Sequence, residues 1–219
     1  MDSITFYLFG DSIVRGSFDL EMGGFANRLH ILANNICAQN DFKSNLVRVF
    51  NQGIGGNTSA DILQRFVFET NQRLVEGGKS YFIFMIGTND LAWLNKDNKF
   101  ATSIEQYASN LKDLIVATKK FSNEIIFLTC PPVVEDIAKN VSHKGKSRTN
   151  EQVLKYNDCL IEICKQYNIP VVDIYTTFIT QNNINELFVS DGLHPNSKGH
   201  ELIFEELKGF LVKEGILNT

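Results

Sequence analysis

Histidine is scarce in this sequence: His30, His143, His194 and His200 are the full complement in 219 residues. Chemistry that needs an imidazole must draw on one of them. Tryptophan occurs once, and proline and cysteine four times each. The cysteines, Cys37, Cys130, Cys159 and Cys164, form no C-x-x-C pair and no zinc-type spacing. That excludes a disulfide scaffold and a zinc module, and it fits reduced, mostly buried thiols in a cytoplasmic protein. Basic residues are not in surplus. Lys and Arg number 21 against 25 Asp and Glu, for a net charge of −4. A dedicated nucleic-acid binder would carry the opposite balance, so no nucleic-acid partner is expected. No apolar run approaches the roughly 18 residues of a membrane helix, so no membrane span is expected either. The first residues, Met1 to Thr5, lack the basic and long apolar regions of a signal peptide.

What is present suits one soluble domain over residues 1–219. Hydrophobic residues make up 43% and charged residues 21%, ordinary values that leave no room for disorder, collagen or coiled coil. A chain this long buries about 70% of its unfolded surface and requires no staple. Short apolar runs stand at 4–9, 46–50, 81–86, 124–129 and 171–174. They are rich in β-branched and aromatic residues, several of them apolar at successive positions, as in strands buried on both faces. Helical spacings lie between them: Phe25, Leu29, Leu32, Ile36; Ile62, Phe66, Val67; Ile104, Tyr107, Leu111, Leu114, Ile115; Val153, Tyr156, Leu160, Ile163; Ile203, Phe204, Leu207, Leu211. Strands that alternate with helices predict a three-layer α/β/α sandwich around a mostly parallel five-stranded sheet. From Pro132 to Asn150 the periodicity fades, and Lys139, Lys144, Lys146 and Arg148 fall within that stretch. Two readings of it stand: a solvated surface loop, or a flap beside a site for anionic or polar substrate.

Open parallel sheets bind ligands beyond the carboxyl ends of their strands. The first such end carries Gly10-Asp11-Ser12-Ile13, the second Asn51 to Ser59 with four intervening glycine-rich positions at 53–56, and the third Gly87-Thr88-Asn89-Asp90. Well after the fifth comes Asp191-Gly192-Leu193-His194-Pro195. Hydroxyl, glycine turn, carboxamide, carboxylate and imidazole on one edge are the parts of an acyl-transfer site. Each part alone has a plainer explanation. Ser12 could cap a helix, Asn57, Thr58 and Ser59 are good caps, and Asn89 could be a turn residue. The glycine turn fails the dinucleotide pattern, with Thr58 at the third glycine position, and no Gly-Lys-Ser/Thr follows it. Coincidence of all four on one edge favours catalysis over four separate accidents. His30 and His200 lie inside predicted helices, as packing or surface residues. Asp191 and His194 could supply two metal ligands, but no further His or Cys stands at ligand spacing, so no metal and no cofactor are expected.

Taken together, these blocks resemble the GDSL/SGNH hydrolase superfamily, in its order and across positions 10 to 195, with Ile13 in place of the family leucine. The resemblance implies the flavodoxin-like SGNH hydrolase fold and a serine-dependent hydrolase of small carboxylic esters, of the esterase and lipase class. It implies Ser12 as nucleophile, His194 as base and Asp191 as its orienting acid. It implies an oxyanion hole from the N–H groups of Ser12 and Gly56 and the side chain of Asn89. Gly56 rather than Gly55 follows because the family motif places the donor three residues before a serine, here Ser59. Asp11 is expected to hold the turn around Ser12. Ile13, Phe25 and Trp93 are candidates for the wall of a substrate pocket. A Gly-x-Ser-x-Gly elbow is disfavoured because Val14 occupies its second glycine position. Two other readings remain open from the residues: a metal-dependent phosphoesterase or nucleotide-handling protein, and a non-catalytic ligand-binding module.

Overall fold

The computed structural model describes residues 3–39, 46–138 and 145–217. Five parallel strands form the central sheet: β1 (Ile4–Gly10), β2 (Val47–Gly53), β3 (Lys79–Met85), β6 (Ile125–Leu128) and β8 (Val171–Val172). Their order is β2-β1-β3-β6-β8. The sheet is buried on both faces, and period-two alternation decides which residue serves which face. Phe6 and Leu8 of β1 join one core, while Tyr7 and Phe9 join the other. β3 repeats the division, with Ile83 and Met85 on the first face and Phe82 and Phe84 on the second.

Helices cover both faces, which confirms the three-layer α/β/α sandwich. On the first face lie α1 (Ser12–Arg15), α2 (Phe25–Gln39), α7 (Ile174–Ile179) and α8 (Ser197–Lys213). On the second lie α3 (Ser59–Arg73), α4 (Ile104–Thr118) and α6 (Asn150–Gln166). A short α5 (Glu135–Ala138) and a 3-10 turn at Ile184–Leu187 complete the described helical elements. The second core is aromatic. Tyr7 stacks on Phe82 at 4.8 Å between ring centroids, and Phe84 stacks on Phe127 at 5.0 Å.

Several features differ from the expectation. The fifth strand is cut to Val171–Val172, because the Asp173 side chain accepts from Thr176 N–H and starts α7 there. A second sheet exists, an antiparallel ribbon of β4 (Trp93–Leu94), β5 (Lys99–Phe100) and β7 (Lys146–Ser147), with β4 in the middle. The stretch from Pro132 to Asn150 is thus not structureless: it contains α5 and β7. Lys139, His143 and Lys144 lie outside the described residues.

Candidate active site

Every strand end named above opens on the same edge. β1 ends at Gly10, where an added Cβ would stand 2.2 Å from Val14 Cγ2 and 2.6 Å from Met85 O. The close approach of α1 to the sheet therefore requires glycine. Asp11, not Ser12, caps α1: its carboxylate accepts from Ile13 N–H at 2.8 Å. That leaves the Ser12 hydroxyl for another partner. Ser12 Oγ lies 2.8 Å from His194 Nε2, across a separation of 182 residues. His194 Nδ1 lies 2.7 Å from Asp191 Oδ2. The other oxygen, Asp191 Oδ1, accepts from Leu193 N–H and His194 N–H, each at 2.9 Å. Burial works to raise the Asp191 pKa, but the His194 ring and these backbone donors outweigh it and hold it at about 2. An ionised acceptor at Nδ1 keeps the ring proton there and leaves Nε2 to accept from Ser12.

The second and third strand ends complete the arrangement. Gly56 has φ 84°, a left-handed backbone that favours glycine, and it lines the cleft beside Ser12 and Asn89. Thr58 caps α3 in a reciprocal capping box with Asp61, as its residue type suggests. Asn89 is buried. Its Nδ2 donates to Asn57 O at 3.0 Å and to Asp11 Oδ2 at 3.2 Å. Its Oδ1 accepts from Arg148 Nη2 at 3.2 Å, and Arg148 Nε donates to Thr88 O at 2.8 Å. Arg148 is 5% exposed. Its burial works against its charge, and the nearby Asp11 and Asp191 oppose that. Burial also pushes Asp11 up to about 6, against the lowering pull of Ile13 N–H and of the His194 and Arg148 charges.

A cleft of about 310 Å³ opens over this constellation. Ser12, Gly55, Gly56, Asn89 and His194 form its floor, with Arg15, Ser17, Phe18, Leu193, Lys146 and Arg148 around them. All three candidate wall residues are elsewhere. Ile13 and Phe25 are buried in the first core, because α1 and α2 turn those positions toward the sheet. Trp93 does not line the cleft: it packs edge-on against Phe100 in the ribbon, at 5.0 Å between ring centroids. Phe18, which sequence reasoning missed, takes the wall position, 4.9 Å from the His194 ring. Arg15 was also missed, although it stands three residues after Ser12 on α1, on the same side of the helix.

The Phe18 loop is organised by Asp19. This carboxylate accepts from Glu21, Met22 and Gly24 N–H, from the Ser197 hydroxyl and from the Arg28 guanidinium. Burial works to raise its pKa, yet the Met22, Gly24 and Glu21 N–H groups and the Ser197 hydroxyl together hold it far below the usual carboxylate range. Asp19→Ala strands the buried Arg28 charge, and we expect a loss of about 3–5 kcal/mol in urea unfolding. A loss under about 1 kcal/mol would contradict the arrangement.

His200 is buried beside the same loop, where it accepts from Phe25 N–H and meets Ser17 O, each at 3.4 Å. Burial lowers its pKa to about 4, against raising contributions from Ser17 and Asp19. The unfolded chain then binds the proton first, so stability falls as pH drops from about 6.5 toward 4. The loss assigned to this ring is about 2 kcal/mol at pH ~5. His200→Gln should remove that share, so the stability gap between wild type and variant narrows on acidification. A gap independent of pH would refute it. His30, by contrast, is exposed on α2.

None of the four cysteines lines the cleft. Burial pushes Cys130 and Cys164 up to about 12. Nor do three His, Cys, Asp or Glu side chains converge as a metal-ligand set among the described residues. No described helix is long and apolar enough to cross a membrane.

Comparison with known proteins decides the family. The family described as GDSL-like Lipase/Acylhydrolase matches residues 6–207. The chain belongs to that family. As a GDSL-type enzyme it is an ester hydrolase. It is similar to an isoamyl acetate-hydrolyzing esterase 1 homolog of Homo sapiens, 27% identical, covering 94% of this chain and 81% of the relative. It is similar to a GDSL esterase/lipase of Arabidopsis thaliana, 26% identical over 91% of this chain and 82% of the relative. Among solved structures, a lipase/acylhydrolase from Enterococcus faecalis shares the fold with a TM-score of 0.72, at 22% identity and 94% coverage of each chain. An acetyl xylan esterase variant from Geobacillus stearothermophilus shares it with a TM-score of 0.71, at 22% identity, covering 98% of this chain and 96% of that one. The GDSL architecture thus extends along nearly the whole chain.

Proposed function

We propose that this GDSL enzyme is a serine hydrolase of small carboxylic esters that works through an acyl-enzyme. One observation carries the reading: Ser12 Oγ is 2.8 Å from His194 Nε2 while Asp191 Oδ2 is 2.7 Å from His194 Nδ1. A serine hydroxyl is a weak nucleophile until a base takes its proton. His194 Nε2 accepts that proton as Oγ attacks the ester carbonyl, and Asp191 stabilises the resulting imidazolium. The developing oxyanion is met by the N–H groups of Ser12 and Gly56 and by Asn89 Nδ2. Of the two bonds Asn89 Nδ2 makes in the free enzyme, the longer, to Asp11, is the one to yield to the oxyanion. His194 then protonates the departing alcohol. Water, activated by the same ring, releases the acid and restores Ser12.

The cleft supports a short acyl group. Its volume, about 310 Å³, is at the small end for ligand sites. Phe18 and Leu193 supply its apolar surface. Two proteins that it resembles are named for acetate esters, of isoamyl alcohol and of xylan. Four free cysteines fit a reducing compartment such as the cytoplasm. The test is treatment with a fluorophosphonate followed by peptide mass spectrometry. We expect a single adduct on Ser12, lost in His194→Ala. Absence of an adduct on wild type, with the protein folded, would overturn the serine mechanism.

A further inference from the structure

The chain as a whole carries a net charge of −4, yet the cleft has the opposite sign. Its lining includes Arg15, Lys146 and Arg148, and no Asp or Glu. The two carboxylates nearest the chemistry are already engaged. Asp191 is bonded to His194 and two backbone N–H groups, and Asp11 is buried beneath, held by Ile13 N–H and Asn89. Arg148 is committed to Thr88 and Asn89. Arg15 and Lys146 are different: among the described residues neither makes an ion pair. Arg15 is exposed on α1, and Lys146 is half-buried on β7. The position above Gly55 that a Cβ would fill lies 3.6 Å from Arg15 Nη1 and 3.9 Å from Ser12 Cβ. A free guanidinium therefore borders the space a substrate must occupy next to the nucleophile. A surface cation with no partner is ordinary; two of them on one small cleft around a nucleophile, in an acidic protein, form a local field that selects by charge.

We propose that Arg15 and Lys146 select esters that carry a carboxylate, on a short acyl chain or on a small alcohol. This rests on the serine esterase reading and specifies its substrate class. The overall reaction is hydrolysis: water adds, the ester C–O bond breaks, and acid and alcohol leave with one proton released per turnover. The anionic group takes no part in bond making. It pairs with the guanidinium or the ammonium while the carbonyl sits over Ser12.

Matched esters followed by proton release test it. On the acyl side, monoethyl succinate is compared with ethyl butyrate. On the alcohol side, 4-acetoxybenzoate is compared with 4-acetoxybenzamide. We expect the charged ester to be favoured in kcat/KM by roughly tenfold in one arm at low salt. That preference should collapse toward unity at high sodium chloride, because exposed charges are screened. It should collapse likewise in the Arg15→Gln/Lys146→Gln double variant, with the change chiefly in KM. The arm that shows it tells which side of the ester bears the charge. A ratio near one in both arms would overturn the proposal, as would a preference that neither salt nor the double variant alters. Fluorophosphonate labelling separates the two levels. An adduct on Ser12 without any charge preference refutes the substrate class alone; no adduct and no turnover of any of these esters refutes the esterase reading with it.

Discussion

Ser12→Ala should lower kcat for a short ester on the order of 10⁴-fold or more while leaving the melting temperature within about a degree or two of wild type. The first half follows from the geometry. Ser12 Oγ faces His194 Nε2 at 2.8 Å, and without the hydroxyl no covalent route remains. The second half separates a nucleophile from a structural serine. Asp11 supplies the cap of α1, so alanine at position 12 removes no capping bond. Alanine is also a better helix former than serine. The measurement pairs steady-state hydrolysis with a thermal melt. A drop in stability of several degrees with modest loss of turnover would mean that Ser12 is structural.

Asp191→Asn is expected to cost on the order of 10⁴ in kcat with the loop intact. The carbonyl oxygen of asparagine can still accept from Leu193 and His194 N–H, as Asp191 Oδ1 does at 2.9 Å. The amide nitrogen then faces His194 Nδ1, where a donor meets the position that now holds a proton. The ring must shift its proton to Nε2, which turns a donor toward the Ser12 hydroxyl and abolishes the base. Asp191→Ala should be worse for the loop and comparable for chemistry. Turnover within tenfold of wild type in the asparagine variant would remove Asp191 from the mechanism.

Much of this arrangement could be read from the chain. β1, β3 and β6 are legible because both faces are buried, so their apolar residues run without interruption. The site blocks are legible because a parallel sheet delivers every strand end to one edge. Other features depend on contacts the sequence does not display. The ribbon strands are two residues each, too short for any period, and Lys99 and Lys146 lie within them. Ile13 and Phe25 misled through proximity. Each is near a site residue in sequence, but helix rotation carries both into the core. Phe18 reaches the cleft only because Asp19 gathers five donors and sets the loop, leaving Phe18 at φ 69° and 53% exposed. Arg148 was visible as a charge, but not as the partner of Asn89.

The 182-residue span between Ser12 and His194 has a kinetic meaning. The nucleophile emerges at the end of the first strand, and the base arrives only when the segment before α8 has docked. No shorter portion of the chain contains both. During synthesis or refolding, the first strands can pair and bury their aromatic core while the hydroxyl still lacks its imidazole. Non-local contacts of this separation are among the slowest to form. Turnover therefore reports when the segment that carries His194 has docked against the end of the first strand. It should return after the far-ultraviolet circular dichroism signal that reports the sheet and helices, and its lag measures how long the segment that carries His194 takes to close over the edge.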